Sequence, residues 1–185
     1  MAAARAASRT ALMVAAYRGR ATQLPEAVCN DPWAMQLAGE EGESLSRRWD
    51  THSPSMELWV ALRTRFIDDC VVRALDAGVE QVVILGAGLD TRAARLARPG
   101  VRFFEVDQPA TQAEKHERLS SLDGYPIESA TFVACDFETD DFLERLASSG
   151  HDPSAPSVFV WEGVIYYLAE AAARATLQRI AADIA

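Results

Sequence analysis

The sequence is short of basic charge, of cysteine, of histidine and of long apolar runs. Lys+Arg 18 against Asp+Glu 27 gives a formal net charge of −9, the wrong sign for a chain whose main partner is nucleic acid. No apolar stretch approaches the roughly 18 residues of a membrane-spanning helix, so no membrane partner is expected. Cys29, Cys70 and Cys135 are odd in number and lack a Cys-x-x-Cys pair. They read as reduced core thiols of a cytoplasmic protein. His52, His116 and His151 are equally scattered, which gives neither a metal site nor a Cys–His dyad. No internal repeat is visible.

Acid is missing from the N-terminal 25 residues, which carry Arg5, Arg9, Arg18 and Arg20. That composition suits a transit segment, but Ala11 to Ala16 is too short an apolar stretch for a secretory signal. The simpler reading is an alanine-rich helix over 8–20, because the Ala and Arg bias runs through the whole chain. Residues 38–54, with Gly39, Gly42, several serines and Pro54, read as a mobile connection. Residues 1–54 are therefore expected to form a helical and loop cap, and 55–185 the main binding domain.

What is present is an alternation of strands and helices. Apolar runs predict strands at 82–85, 102–106, 131–135 and 157–161. Helices are expected near 55–77, 90–98, 109–121, 139–149 and 169–185. This pattern predicts an α/β fold with a doubly wound parallel sheet, and right-handed crossovers put all strand carboxyl ends on one edge. Each of those ends meets an acid.

The first strand runs Gln81-Val82-Val83-Ile84-Leu85 into Gly86-Ala87-Gly88-Leu89-Asp90-Thr91. Gly86 permits a tight strand-to-helix turn, and Gly88 lets backbone approach a ligand. A dinucleotide fingerprint needs a third glycine where Thr91 stands. Asp90 would also repel a diphosphate, so the turn suits a ligand with positive charge, such as S-adenosylmethionine. A nicotinamide-dependent oxidoreductase is the weaker alternative. The second strand ends in Glu105-Val106-Asp107, acids able to accept from ribose hydroxyls. Asp136 can accept from an adenine amino group, or serve as a helix N-cap. Phe137 can pack on the ring, and Glu162 ends the fourth strand.

Helical spacing over 55–77 places Met56, Trp59, Val60, Phe66, Ile67, Cys70 and Ala74 within about 60° of Arg63. Arg63 is thus expected at the centre of a buried face, with Arg65, Asp68 and Asp69 on the far side. A guanidinium there needs an anion. That anion is either a ligand carboxylate or a structural partner among Asp90, Glu105 and Glu162.

Four ordered segments resemble the motifs of the leucine carboxyl methyltransferase-like family and its bacterial S-adenosylmethionine-dependent group. They are Leu85 to Arg92, Phe104 to Pro109, Asp136 to Glu138 and Phe159 to Val164. The Asn30-Asp31-Pro32-Trp33-Ala34 turn and the stretch Arg63 to Asp68 are also similar. The resemblance implies a Rossmann-like methyltransferase sheet of order 3-2-1-4-5-7-6, with strands 1–4 present and the C-terminal side incomplete. Strand four, with Val158, Phe159 and Val160, would then lie bare and prone to aggregation. The resemblance also implies S-adenosyl-L-methionine as cofactor. Arg63 would hold its carboxylate, Gly86 would sit against its methionine part, Gly88 would bring backbone close to it, Asp107 would take the ribose, Asp136 and the Phe137 backbone the adenine, and Glu162 would face it. The implied reaction is methyl transfer to a carboxylate or hydroxyl oxygen of a small-molecule or protein acceptor. Tyr166 and Tyr167 stand near its acceptor side, with core packing expected for at least one. A non-catalytic fragment or pseudo-enzyme is the alternative from another class.

Overall fold

The computed structural model describes residues 9–183. Residues 1–8, with Arg5 of the acid-free stretch, and 184–185 lie outside the described residues. The elements are α1 (Arg9–Thr22), α2 (Ala34–Asp50), α3 (Met56–Asp76), β1 (Gln81–Leu85), α4 (Arg92–Arg95), β2 (Arg102–Asp107), α5 (Pro109–Ser120), β3 (Ala130–Ala134), α6 (Phe142–Ser148), β4 (Ser157–Trp161) and α7 (Glu170–Asp183). Every strand pairing is parallel, and the order is β3-β2-β1-β4. This is the α/β, doubly wound sheet that the alternating pattern predicts.

Both faces of the sheet are filled. Val82, Ile84 and Phe103 pack with Val71 and Leu75 of α3, and Val158 and Val160 of β4 join that layer. On the other face Val83, Leu85, Phe104 and Val106 meet Phe142 and Leu146 of α6, with Phe159, Trp161 and Ile180 beside them. The side chains of β4 are therefore largely covered among the described residues. What β4 leaves open is its backbone edge, since it pairs with β1 alone.

Most of the mobile connection expected over 38–54 is instead the body of α2, which ends at Asp50; residues 51–54 form the turn after it. The α2 glycines serve packing rather than looseness. Gly39 takes φ 61° at a kink, which only glycine adopts cheaply. A Cβ on Gly42 would stand 2.6 Å from the Leu12 carbonyl oxygen, so its absence lets α2 lie against α1. Tyr17 Oη adds a 2.9 Å hydrogen bond to the Ser46 carbonyl across that contact. Leu12, Ala15, Ala16, Leu37 and Ala38 share one cluster with Leu89 of the β1 turn and Leu119 of α5. The two N-terminal helices thus pack directly over the carboxyl end of the sheet.

Helix α3 is rolled relative to its sequence reading. Its buried residues are Val60, Ala61, Thr64, Asp68, Val71 and Leu75, a stripe centred near Thr64. Arg63 lies about 100° off that centre. Trp59 and Phe66 are 52% and 66% exposed rather than internal. Asp68 lies on the inward side of the helix as it sits, where two arginines of α4 pair with it.

Candidate functional site

A cavity of about 650 Å³ runs along the carboxyl edge of the sheet, beneath α1 and beside α3, within the size range of small-molecule sites. Six of the seven candidate residues line it: Arg63, Gly86, Gly88, Asp107, Phe137 and Glu162. Asp136 is not among its lining residues. Its carboxylate accepts from the Glu138 N–H at 3.0 Å in a local turn, and the N-cap of α6 is Asp141, not Asp136.

The strand β1 ends inside the cavity floor because Gly86 and Gly88 take φ of 66° and 48°. A Cβ at Gly86 would collide with the Val164 side chain, so Val164 rather than open space stands over that turn. At Gly88 the neighbour is Ala11 of α1, 3.5 Å from the site of a Cβ. Gly88 also donates its N–H to Asp107 Oδ2 at 2.6 Å, and Gln108 donates to Oδ1 at 2.7 Å. Asp107 is thereby locked at the mouth of β2, and the Thr111 hydroxyl also donates to its carboxylate. Burial pushes its carboxyl pKa up, against the pull of those two N–H groups.

Glu105, the other acid expected at this strand end, is consumed elsewhere. It is 1% exposed and forms a close ion pair with Lys115 Nζ, while the same Nζ donates to the Asp90 carbonyl at 2.5 Å. Asp90 is not a bare charge either. Arg92 donates to it from both backbone, at 2.6 Å, and guanidinium. Burial alone would raise the Asp90 pKa, but Arg92, Arg18 and Arg95 outweigh it and hold the carboxyl at about 2. Asp90 therefore does not repel a diphosphate, because its charge is already compensated.

Arg92 is the residue that sequence reasoning missed. It is 2% exposed and lies 2.7 Å from Asp68 and 2.8 Å from Glu162, besides Asp90. Arg95 backs it with a 2.5 Å bond to Asp68. Two basic residues, Arg92 and Arg95, directly after an acidic turn were the available signal. Arg18 of α1 was missed too. It bonds Asp31 at 2.8 Å and the Leu89 carbonyl at 2.6 Å, pinning α1 to the β1 turn.

Arg63 reaches this network without being absorbed by it. Its Nε stands 2.7 Å from Glu162 Oε1, an ion-pair distance. The alignment is not that of a hydrogen bond, and the buried Nε–H has no hydrogen-bond partner. The guanidinium lies 4.3 Å from the centre of the Trp59 ring. Of the three partners expected for it, the structure selects Glu162. Tyr166 and Tyr167 also line the cavity, and both are exposed, so neither packs in the core.

A doubly wound parallel sheet with a polar cleft at its carboxyl edge defines a nucleoside- or nucleotide-binding class of protein. The comparison with protein families is more specific: residues 11–181 match the model of the leucine carboxyl methyltransferase family, and the chain belongs to that family. A relative from Mycobacterium sp. (strain JLS) is 38% identical, over 86% of this chain and 57% of the relative. One from Mycobacterium avium (strain 104) is 35% identical, again over 86% and 57%. One from Parafrankia sp. (strain EAN1pec) is 37% identical, over 86% and 54%. Each carries the name "Putative S-adenosyl-L-methionine-dependent methyltransferase". The chain thus spans a little over half the length of these relatives. Among the described residues, no helix is long and apolar enough to cross a membrane.

Proposed function

We propose that this chain carries the cofactor-binding part of an S-adenosyl-L-methionine-dependent methyltransferase acting on an oxygen of its acceptor. The observation that carries the reading is the pair of polar anchors at opposite ends of one cavity. Asp107 is held open by two backbone N–H groups at the β2 end. Arg63, with an unpartnered buried Nε–H, stands at the β4 end. A ribose at the first and an amino-acid carboxylate at the second would fit these groups. A nicotinamide dinucleotide has no carboxylate to complete Arg63.

When bound, the cofactor supplies a methyl group on a sulfonium centre, which passes to the acceptor oxygen while the C–S electron pair stays on sulfur. The chain's own part is binding and alignment. Phe137 offers a ring surface to the cavity, and Glu162, facing Arg63 and Arg92, lines it too. No nucleophilic side chain is needed for such a transfer, which depends on orientation and on exclusion of water. Asp136 enters this reading only if its turn reorients. A cytoplasmic location accords with three free thiols, two of them buried.

Isothermal titration tests the reading directly. S-adenosylhomocysteine is expected to bind, with NAD and NADP silent. Heat from NAD without heat from S-adenosylhomocysteine would overturn it.

A further inference from the structure

Two glycines of the cavity lining owe their place to different causes. A Cβ on Gly86 would collide with Val164 Cγ2, and it would stand 3.0 Å from Cγ1 and 3.2 Å from Cβ of the same residue. The isopropyl group of Val164 therefore rests on the Gly86 turn, and both residues line the cavity. A Cβ on Gly163 would meet nothing within 4 Å in this chain, yet Gly163 takes φ 71°. Gly86 is needed for space as well as for its backbone angle. Gly163 is needed for its angle alone.

The segment that carries Val164 runs between two fixed ends. Before it, Glu162 is held by Arg92 at 2.8 Å and faces Arg63 at 2.7 Å. After it, α7 is set by buried Ala173 and Thr176 and by Ile180 against the sheet. In between, the Tyr167 N–H donates to the Val164 carbonyl at 2.9 Å and the Leu168 N–H to that of Ile165 at 3.4 Å. Those bonds close within the segment. Residues 163–168 thus form a strap that can turn about Gly163 without breaking them, as hinged segments do.

The sheet order makes the position of Val164 consequential. Asp107 stands at the end of β2 and Arg63 beside Glu162, just past the end of β4, while β1 lies between those strands. With a ribose at Asp107 and a carboxylate at Arg63, the methionine part that joins them crosses the end of β1, where Gly86 stands. That turn is the one Val164 covers. Packed atoms do not overlap, so the two cannot hold the same face of Gly86 together.

We infer that Val164 is a built-in plug of the cofactor site: it competes for the Gly86 turn and is displaced on binding, as the strap turns about Gly163. This rests on the methyltransferase reading above. Apparent affinity is then the intrinsic affinity reduced by the fraction of molecules whose strap is open. A change that weakens the plugged arrangement and removes no polar group from the site therefore tightens binding.

Two variants, titrated with S-adenosylhomocysteine by calorimetry, test this. Val164→Ala takes the two methyl groups off the turn. Gly163→Ala adds a methyl that meets nothing in this chain but disfavours φ 71°. Each is expected to bind S-adenosylhomocysteine about threefold to tenfold more tightly than the unaltered chain, with an unchanged circular dichroism spectrum. Equal or weaker binding by folded Val164→Ala would overturn the inference, because Val164 would then be a wall of the site and not its competitor. Should Val164→Ala fail to fold, Gly163→Ala decides by the same criterion, since it removes no packing. Failure of the cofactor reading looks different: the unaltered chain and both variants all stay silent, and the inference falls with it.

Discussion

Replacing Arg63 by Met separates a ligand clamp from a structural ion pair. In a buried pair, loss of one partner strands the other charge and costs about 3–5 kcal/mol. Here Glu162 would not be stranded, because Arg92 Nη1 remains 2.8 Å away. The Arg63 side chain also keeps 21% of its surface, so its pair is screened and contributes at most about 1 kcal/mol. Against that, Met removes the buried unpartnered Nε–H, whose desolvation costs about 1–3 kcal/mol. These terms nearly cancel or favour the variant. Unfolding in urea without ligand should therefore shift by no more than about 1 kcal/mol on the destabilising side. Affinity for S-adenosylhomocysteine should fall by about 2–5 kcal/mol, the range for truncating one partner of a desolvated charge pair. Arg65, paired with Asp69 on the outer face at 2.8 Å, provides the control; Arg65→Met should leave binding nearly unchanged. A loss of several kcal/mol in the ligand-free Arg63→Met protein, with affinity intact, would refute the clamp.

Arg92→Met is expected to behave in the opposite way. It removes the cation shared by Asp68, Asp90 and Glu162, and should cost about 3–5 kcal/mol at pH 7 by urea unfolding; a loss below about 1 kcal/mol would show the network to be dispensable. Because the folded Asp90 carboxyl is held at about 2, its stabilisation is fully present above the unfolded value and is lost as pH falls toward 2. That loss is on the order of 2 kcal/mol, and a urea midpoint equally acid-sensitive in Asp90→Asn would contradict the assignment. Asp107→Ala should weaken S-adenosylhomocysteine by about 1–3 kcal/mol. It should also destabilise the ligand-free protein by about 1–3 kcal/mol, because the Gly88 and Gln108 N–H groups lose their acceptor; unchanged affinity in the folded variant would return Asp107 to a purely structural role.

Most of the sheet was legible because its signals are local. Apolar runs of strand length ending in glycine or acid mark β1 to β4 within one residue at each end, and their alternation with helices leaves few topologies other than a parallel doubly wound sheet. The glycine turn after β1 and the acid at the end of β2 could be read for the same reason, since backbone geometry at a strand end depends on the residues there. Helix α2 was not legible. Glycine lowers helix propensity, and only the approach of α1 shows that Gly42 is there to admit the Leu12 carbonyl.

The sequence by itself determined the class of fold, the edge at which the cavity opens and six of the residues that line it. Only the tertiary structure decided which charges remain free there. Asp90, Glu105 and Asp107 look alike as acids at strand ends. Their fates differ because Arg92, Lys115 and two backbone N–H groups reach them, Arg92 from the start of α4 and Lys115 from α5. The face that α3 buries was decided in the same way. Hydrophobicity favoured Trp59 and Phe66 inside. In the structure they are exposed, while Asp68 faces inward and pairs with Arg92 and Arg95. An ion pair between elements distant in sequence leaves no periodic trace, yet removing its charges from water makes their mutual satisfaction obligatory.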